Sequence, residues 1–295
     1  MIWIYVGAVL LVALILFFIY GYREHYRYVV EDFEIEVPSD APFHKPIRLA
    51  LIADFHSTQT FGPKGNKIVK AIEKLHPDAI VIAGDLTIKG EKKPEISLNF
   101  CRELKKIAPV FYSPGNHELR MEDYEAYVAR LRRIGLHVLV NETENVEING
   151  NSVYFTGLVL PISFFHRFWN EKKLHVEEIW NLVDEVPLKE EDSSGKPLRI
   201  LIAHNPEYFK QYVKWGADVI FSGHIHGGVM QLPVLGGVIS PSFRLFPKYD
   251  AGIFRENEST MLITRGLGSH HLKFRFFNPP QICHVTIYKD REEES

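Results

Sequence analysis

Residues 48–56 read RLALIADFH, an unbroken apolar run that stops abruptly at Asp54 and His56. An apolar stretch of this length, bounded by polar residues, predicts a strand buried on both faces. The same design recurs along the chain. DAIVIAGD (78–85) ends on Gly84-Asp85, PVFYSPGNHE (109–118) on Asn116, His117 and Glu118, LRILIAHN (198–205) on His204-Asn205, and ADVIFSGHIHG (217–227) on His224 and His226. Between the first of these runs, Asn66–Leu75, Ile96–Ile107 and Tyr124–Ile134 carry apolar residues at helical spacing. Buried strands alternating with helices predict an α/β fold. Further strands are expected at 28–38 (YVVEDFEIEVP), 137–140, 146–158 (VEINGNSVYFTGL), 260–268 and 281–289, and the Gly/Pro-rich stretch 227–247 reads as ordered loop with short β structure.

The polar ends of these strands carry the chemistry. In open α/β sheets, ligands collect beyond the carboxyl ends of the strands. Asp54 and His56 stand two apart, and in extended chain two such side chains point to one side; His224 and His226 repeat the spacing. Asp85 can bridge two cations through its two oxygens, with Gly84 leaving room beside it. Asn116 offers a neutral amide oxygen. Imidazole and carboxylate ligands suit manganese, iron or zinc. Each segment alone has a plainer explanation: Asp54 as a cap, Gly84-Asp85 and Pro114 to His117 as turns, His204 as a core histidine. Their recurrence at five strand ends argues for a shared site.

The ordered set D-x-H, G-D, G-N-H-E, H-N and G-H-x-H resembles the calcineurin-like metallophosphoesterase superfamily over residues 46–288. The resemblance implies a four-layer sandwich, two mixed β-sheets flanked by helices, with two divalent cations (manganese, iron or zinc) at the sheet ends. Asp54, His56, Asp85 and His226 would hold one ion, and Asp85, Asn116, His204 and His224 the other. His117 would stand by the leaving-group oxygen as the catalytic acid, while a water activated between the ions attacks phosphorus. Two departures stand out: Glu118 replaces the usual aspartate and is expected to orient His117, and no glycine follows His56 at position 58. HGG (226–228), RGLG (265–268) and FFNPP (276–280) resemble the bacterial membrane-associated subgroup, some of whose members cleave phosphodiesters or UDP-2,3-diacylglucosamine.

The N-terminus sets the cellular address. Ile2 to Tyr20 has no charged residue, long enough to cross a hydrocarbon core of about 30 Å. A cleavable signal peptide would have a basic start, a shorter apolar core and a small-residue cleavage site; a buried core helix would not be terminal with polar flanks. A retained single-pass anchor is the expectation. Arg23 and Arg27 follow the run, so the positive-inside tendency places the body in the cytoplasm. The organisation expected is an anchor at 1–22, a linker and first strand at 23–45, a catalytic domain at 46–288 and a charged tail at 289–295.

Of 295 residues, 46% are hydrophobic and 24% charged, which marks a globular body rather than a disordered chain. A net charge of −3 predicts no nucleic-acid partner working through bulk charge. Cys101 and Cys283 make neither a disulfide framework nor a thiolate zinc site. Arg244 and Arg265 are candidates for substrate phosphate or headgroup binding, with Lys248 and Arg275 beside them. An insertion at 160–192, aromatic and basic through Phe164, Phe165, Arg167, Phe168, Trp169, Lys172 and Lys173, is expected to be helical, as a lid or a surface touching lipid headgroups. The substrate expected is a phosphorylated small molecule or a lipid-linked one, cleaved at a phosphodiester or pyrophosphate bond. A phosphomonoesterase or phosphoprotein phosphatase, and a scaffold without metals, are the competing readings.

Overall fold

The computed structural model describes residues 1–37, 43–92, 94–165, 172–183, 197–241, 243–269 and 273–289. A 24-residue helix, α1 (Ile2–His25), leads into β1 (Val29–Glu36). There follow β2 (Ile47–Ile52), α2 (Asn66–Glu73), β3 (Ala79–Ala83), α3 (Glu95–Leu104), β4 (Val110–Ser113), α4 (Tyr124–Ile134) and β5 (His137–Val138). The second half contributes β6 (Glu142–Ile148), β7 (Asn151–Leu158), α5 (Val176–Leu182), β8 (Leu198–Ala203), α6 (Phe209–Trp215) and β9 (Val219–Ser222). Short strands β10 (Gln231–Leu232) and β11 (Gly236–Gly237) precede β12 (Gly252–Glu256), β13 (Ser259–Ile263) and β14 (Gln281–Tyr288).

Two six-stranded sheets form, in the orders β1-β14-β2-β3-β4-β5 and β12-β13-β9-β8-β7-β6. The unbroken apolar runs are explained by the pleat. Leu49, Leu51, Val81 and Ala83 face the opposite sheet, where Phe111 stacks on Phe155 at 4.0 Å between ring centroids. Their neighbours Ala50, Ile52, Ile80 and Ile82 pack instead against Ile68, Ile72, Leu98 and Leu131 of α2 to α4. On the other sheet Ile200 and Ile202 point inward, while Leu201 and Ala203 meet Ile179, Tyr212 and Trp215 of α5 and α6. The result is the expected four-layer sandwich.

Each sheet is mixed. β2, β3, β4 and β5 run parallel, as do β7, β8, β9 and β13, whereas β14 is antiparallel to β2 and parallel to β1. The last strand therefore lies between the first two. The stretch 146–158, read as one strand, is a hairpin: β6 and β7 pair antiparallel across Asn149-Gly150, both at positive φ. That is the left-handed pair a two-residue hairpin turn requires. Of the insertion, a short 3-10 turn at Ile162–Phe164 and α5 are described; Arg167, Phe168, Trp169 and residues 184–192 lie outside the described residues, as do most of the linker's end (38–42) and the tail (290–295).

Candidate metal centre

The carboxyl ends of β2, β3, β4, β8 and β9 meet at one edge of the sandwich. Backbone contacts draw them close: the Asp54 N–H donates to the Gly84 carbonyl at 3.0 Å, and the His224 N–H donates to Asp54 Oδ2 at 3.1 Å. Gly84 sits at φ +85, and a Cβ there would stand 2.5 Å from His204 Nδ1. Glycine is required by conformation and by space alike.

The extended geometry expected for D-x-H and H-x-H is corrected here. Asp54, His56, His224 and His226 have φ of 53°, 50°, 71° and 54°, and Asp85 has 52°. All five are left-handed, where a residue with a Cβ is held only by its surroundings. The side chains converge because the chain turns sharply after each strand, not because it stays extended.

Three groups of potential ligand atoms result, each with its atoms within 4.8 Å of one another: Asp54, His56 and His226; Asp85, His204 and His224; and His56, Asp85 and His117. His56 Nε2 and His226 Nε2 are 3.2 Å apart, and His226 Nε2 is 3.4 Å from Asp54 Oδ1. His204 Nε2 lies 3.1 Å from Asp85 Oδ2. Asn116 is buried one residue before His117, whose N–H donates to Asp85 Oδ1 at 2.9 Å.

Ring tautomers follow from the backbone. His56 Nδ1 faces the Thr87 carbonyl at 3.1 Å and His204 Nδ1 the Ala83 carbonyl at 2.6 Å. A carbonyl only accepts, so both rings carry a proton on Nδ1 and turn Nε2 inward as the atom a cation would take. His117 is the opposite case: its Nδ1 accepts the Lys89 N–H at 2.8 Å, so its proton sits on Nε2, 3.9 Å from Asp85 Oδ2. Two rings are set to bind a cation and the third to give up a proton.

The buried donors fit divalent metals. Asp85 Oδ2 and His204 Nε2 are buried with only each other at 3.1 Å, and the buried Asn116 Oδ1 has no hydrogen-bond partner. Buried polar atoms left short of partners are costly, and atoms of these types fit cation ligands. The set is nitrogen and oxygen only, which suits manganese, iron or zinc.

Electrostatics agrees. Burial, reinforced by the charge of Asp85 and opposed by His204, pushes the Asp54 carboxyl up to about 7. Burial alone would also raise Asp85, but His204, His117 and His56 hold it well below the usual range. For His204 burial works downward, and the carboxylates of Asp85 and Asp54 outweigh it, carrying the ring up to about 9. The metal-free site thus holds protons that a cation would displace.

Glu118 has a different task from orienting His117. It is fully buried, and its Oε2 accepts the N–H groups of Asp85 (3.0 Å) and Gly115 (2.8 Å). Its Oε1 accepts the Thr87 N–H (2.8 Å) and hydroxyl (3.0 Å). It clamps the loops after β3 and β4 to each other. Thr87, Ala83 and Lys89, which set the ring tautomers through backbone atoms, escaped sequence reasoning because any residue type supplies those atoms.

The cationic candidates divide between two places. Arg265 pairs with Glu31 on β1 at 2.5 Å, and Arg275 is buried, donating to the carbonyls of Arg265, Gly268 and Asn278. Burial lowers the Arg275 guanidinium to about 10. Both brace the segment that packs on Asp54. Arg244 lines a separate cavity of about 500 Å³ with Lys172, His175, Tyr208 and Lys248. The converging aspartates and histidines are not part of its lining among the described residues.

Residues 47–228 match the model of the calcineurin-like phosphoesterase family. The chain belongs to that family. A transmembrane protein with metallophosphoesterase domain from Danio rerio is 26% identical over 267 residues, covering 88% of this chain and 57% of that protein. A metallophosphoesterase of Aquifex aeolicus is 28% identical over 271 residues, covering 91% of this chain and 95% of the relative. The UDP-2,3-diacylglucosamine pyrophosphatase LpxG of Chlamydia muridarum is 25% identical over 280 residues, covering 80% of this chain and 82% of its own. The chain spans about three fifths of the zebrafish protein and of a Helicobacter pylori metallophosphoesterase, 57% and 60%. Relatives named as transmembrane proteins, together with an α1 long and apolar enough to cross a membrane, indicate membrane association.

Proposed function

We propose that this chain is a membrane-anchored phosphoesterase that hydrolyses a phosphodiester or pyrophosphate bond in a lipid-linked or nucleotide-lipid substrate. The observation that carries the reading is the opposed ring orientation at one buried site: Nδ1 tied to backbone carbonyls on His56 and His204, which leaves Nε2 for a cation, and Nδ1 accepting on His117, which leaves it an Nε2–H. Asp54, His56, Asp85 and His226 would hold one divalent cation, and Asp85, Asn116, His204 and His224 the second. When bound, the ions supply charge neutralisation at the phosphoryl oxygens and a water acidic enough to attack near neutral pH. His117 Nε2–H donates to the departing oxygen, with Lys89 N–H fixing the ring. Glu118 keeps Asp85 and the Asn116-His117 turn in register. The lipid-linked substrate class is supported by α1 and by the likeness to the Chlamydia pyrophosphatase.

The test is turnover of bis(nitrophenyl) phosphate against nitrophenyl phosphate, with manganese, zinc or chelator. Diester preference, lost on chelation and in Asp85→Ala, is expected. Preference for the monoester would favour a phosphatase instead, and absence of turnover with every metal would overturn an enzymatic role.

A further inference from the structure

The segment after His226 leaves a group of large apolar side chains in the open. Val234 (105% exposed), Leu235 (61%), Phe243 (51%), Leu245 (64%), Phe246 (52%) and Phe277 (51%) all lie in loops. β10 and β11 form a small antiparallel hairpin whose tip is Pro233-Val234-Leu235. A hairpin tip in water favours Asn or Gly. Here a β-branched valine stands fully exposed at φ +70, and Phe243, Phe246 and Phe277 are also at positive φ. Such backbone costs energy at each position and persists only where the surrounding structure holds it. A bridge between Ile239 and Leu245 closes a second loop beside the first.

These loops are joined to the foot of α1. Met230 bridges Phe276, and the Gln231 N–H donates to the Phe276 carbonyl at 2.9 Å. The Phe276 ring packs on Phe17 (4.6 Å between centroids) and Tyr20 (5.2 Å), and Phe277 packs on Tyr20 (5.3 Å). Phe274 presses so closely on the helix that a Cβ on Gly21 would stand 2.0 Å from its ring. Phe17 lies three residues before the apolar run ends at Tyr20, about 4.5 Å along the helix axis. The contacts thus fall at the depth where a bilayer core gives way to headgroups, the level favoured by aromatic side chains.

We infer that the loops carrying Val234, Leu235, Phe243, Leu245 and Phe246, together with Phe277, form a second membrane-contacting surface, seated in the bilayer that α1 crosses. The inference rests on α1 as a span and extends it: the body lies against the lipid rather than hanging from a tether. Arg244 lies within these loops and Lys248 just after them, as basic residues at the headgroup level would. The Asn278 amide donates to the His226 carbonyl at 2.7 Å, so the docked segments also carry a residue of the metal centre. A phosphoryl group at the lipid surface would then reach the site without leaving the membrane.

The test uses the full chain in phosphatidylcholine–phosphatidylglycerol vesicles containing nitroxide-labelled lipid. An environment-sensitive fluorophore is attached in turn to Val9→Cys, Val234→Cys, Leu245→Cys and Ser152→Cys. Cys101 and Cys283 are buried, and burial raises both thiols, so they stay unlabelled. Quenching at 9, 234 and 245 is expected to exceed that at Ser152, on the exposed start of β7, severalfold. Quenching at 9 with 234 and 245 no better than 152 overturns the docked surface and leaves the anchor standing. No excess quenching at 9 overturns the anchor, and the inference with it. Blue-shifted emission at 234 without nitroxide quenching, as burial against a second copy would give, also overturns it.

Discussion

Replacing Glu118 with glutamine isolates the clamp that holds two loops of the metal centre together. The carboxylate receives four hydrogen bonds, from the N–H groups of Asp85, Gly115 and Thr87 and from the Thr87 hydroxyl. A glutamine keeps one acceptor oxygen and turns a donor NH2 toward the remaining partners. If the amide nitrogen replaces Oε1, the Thr87 hydroxyl can rotate to accept, but the Thr87 N–H is stranded, at about 1–3 kcal/mol. The surviving bonds lose charge assistance, which roughly halves them. Against this, burial and Asp85 raise the Glu118 carboxyl, so removing the charge recovers part of the cost. A net loss of about 3 kcal/mol follows, roughly 6–12 °C in Tm for a body of this size. Turnover falls further, by on the order of a hundredfold, because the Asp85 and Asn116-His117 turns shift relative to each other. Thermal unfolding and steady-state hydrolysis of a diester at saturating metal read the two effects. A variant with unchanged Tm and unchanged turnover would refute the clamp.

Other outcomes follow from the same geometry. His117→Ala is expected to slow esters with poor leaving groups far more than nitrophenyl esters; equal loss across a leaving-group series would remove His117 as the proton donor. Cation binding at pH 7 should release protons, since the empty site holds His204 protonated up to about 9 and Asp54 partly protonated near 7. Metal affinity then rises with pH through that window and levels off above it; titration calorimetry in buffers of different ionisation enthalpy counts the protons, and a count of zero at pH 7 would contradict the assignment. Gly84→Ala, which drives a methyl into His204 at a left-handed position, should abolish metal binding while leaving far-ultraviolet circular dichroism intact. Retained affinity would show that the crowding can be relieved.

Much of this architecture was legible because the parallel strands are buried on both sides and so spell uninterrupted apolar runs. RLALI, AIVIA and LRILIA announce β2, β3 and β8 without help from neighbours. Their polar terminations marked the site, and Asp54, Asp85, His204, His224 and His226 do converge there. What stayed hidden depends on distance. Nothing near Glu31 says that it will pair with Arg265, because the two stand far apart in the chain and meet only through the sheet. The left-handed backbone of Asp54 and His226 is imposed by packing against other strands, so local spacing pointed to extended chain instead. The Asn149-Gly150 turn was a local signal within reach, masked by the apolar residues on either side.

β14 lies between β1 and β2, joining segments some 250 positions apart along the chain. During translation residue 288 leaves the ribosome long after β1 has emerged, and until then β1 lacks the strand it pairs with. The nascent polypeptide must therefore hold β1 unpaired while the strands from β2 to β13 are made. Trimming even the final dozen residues would strike the assembly at its seam rather than at its margin.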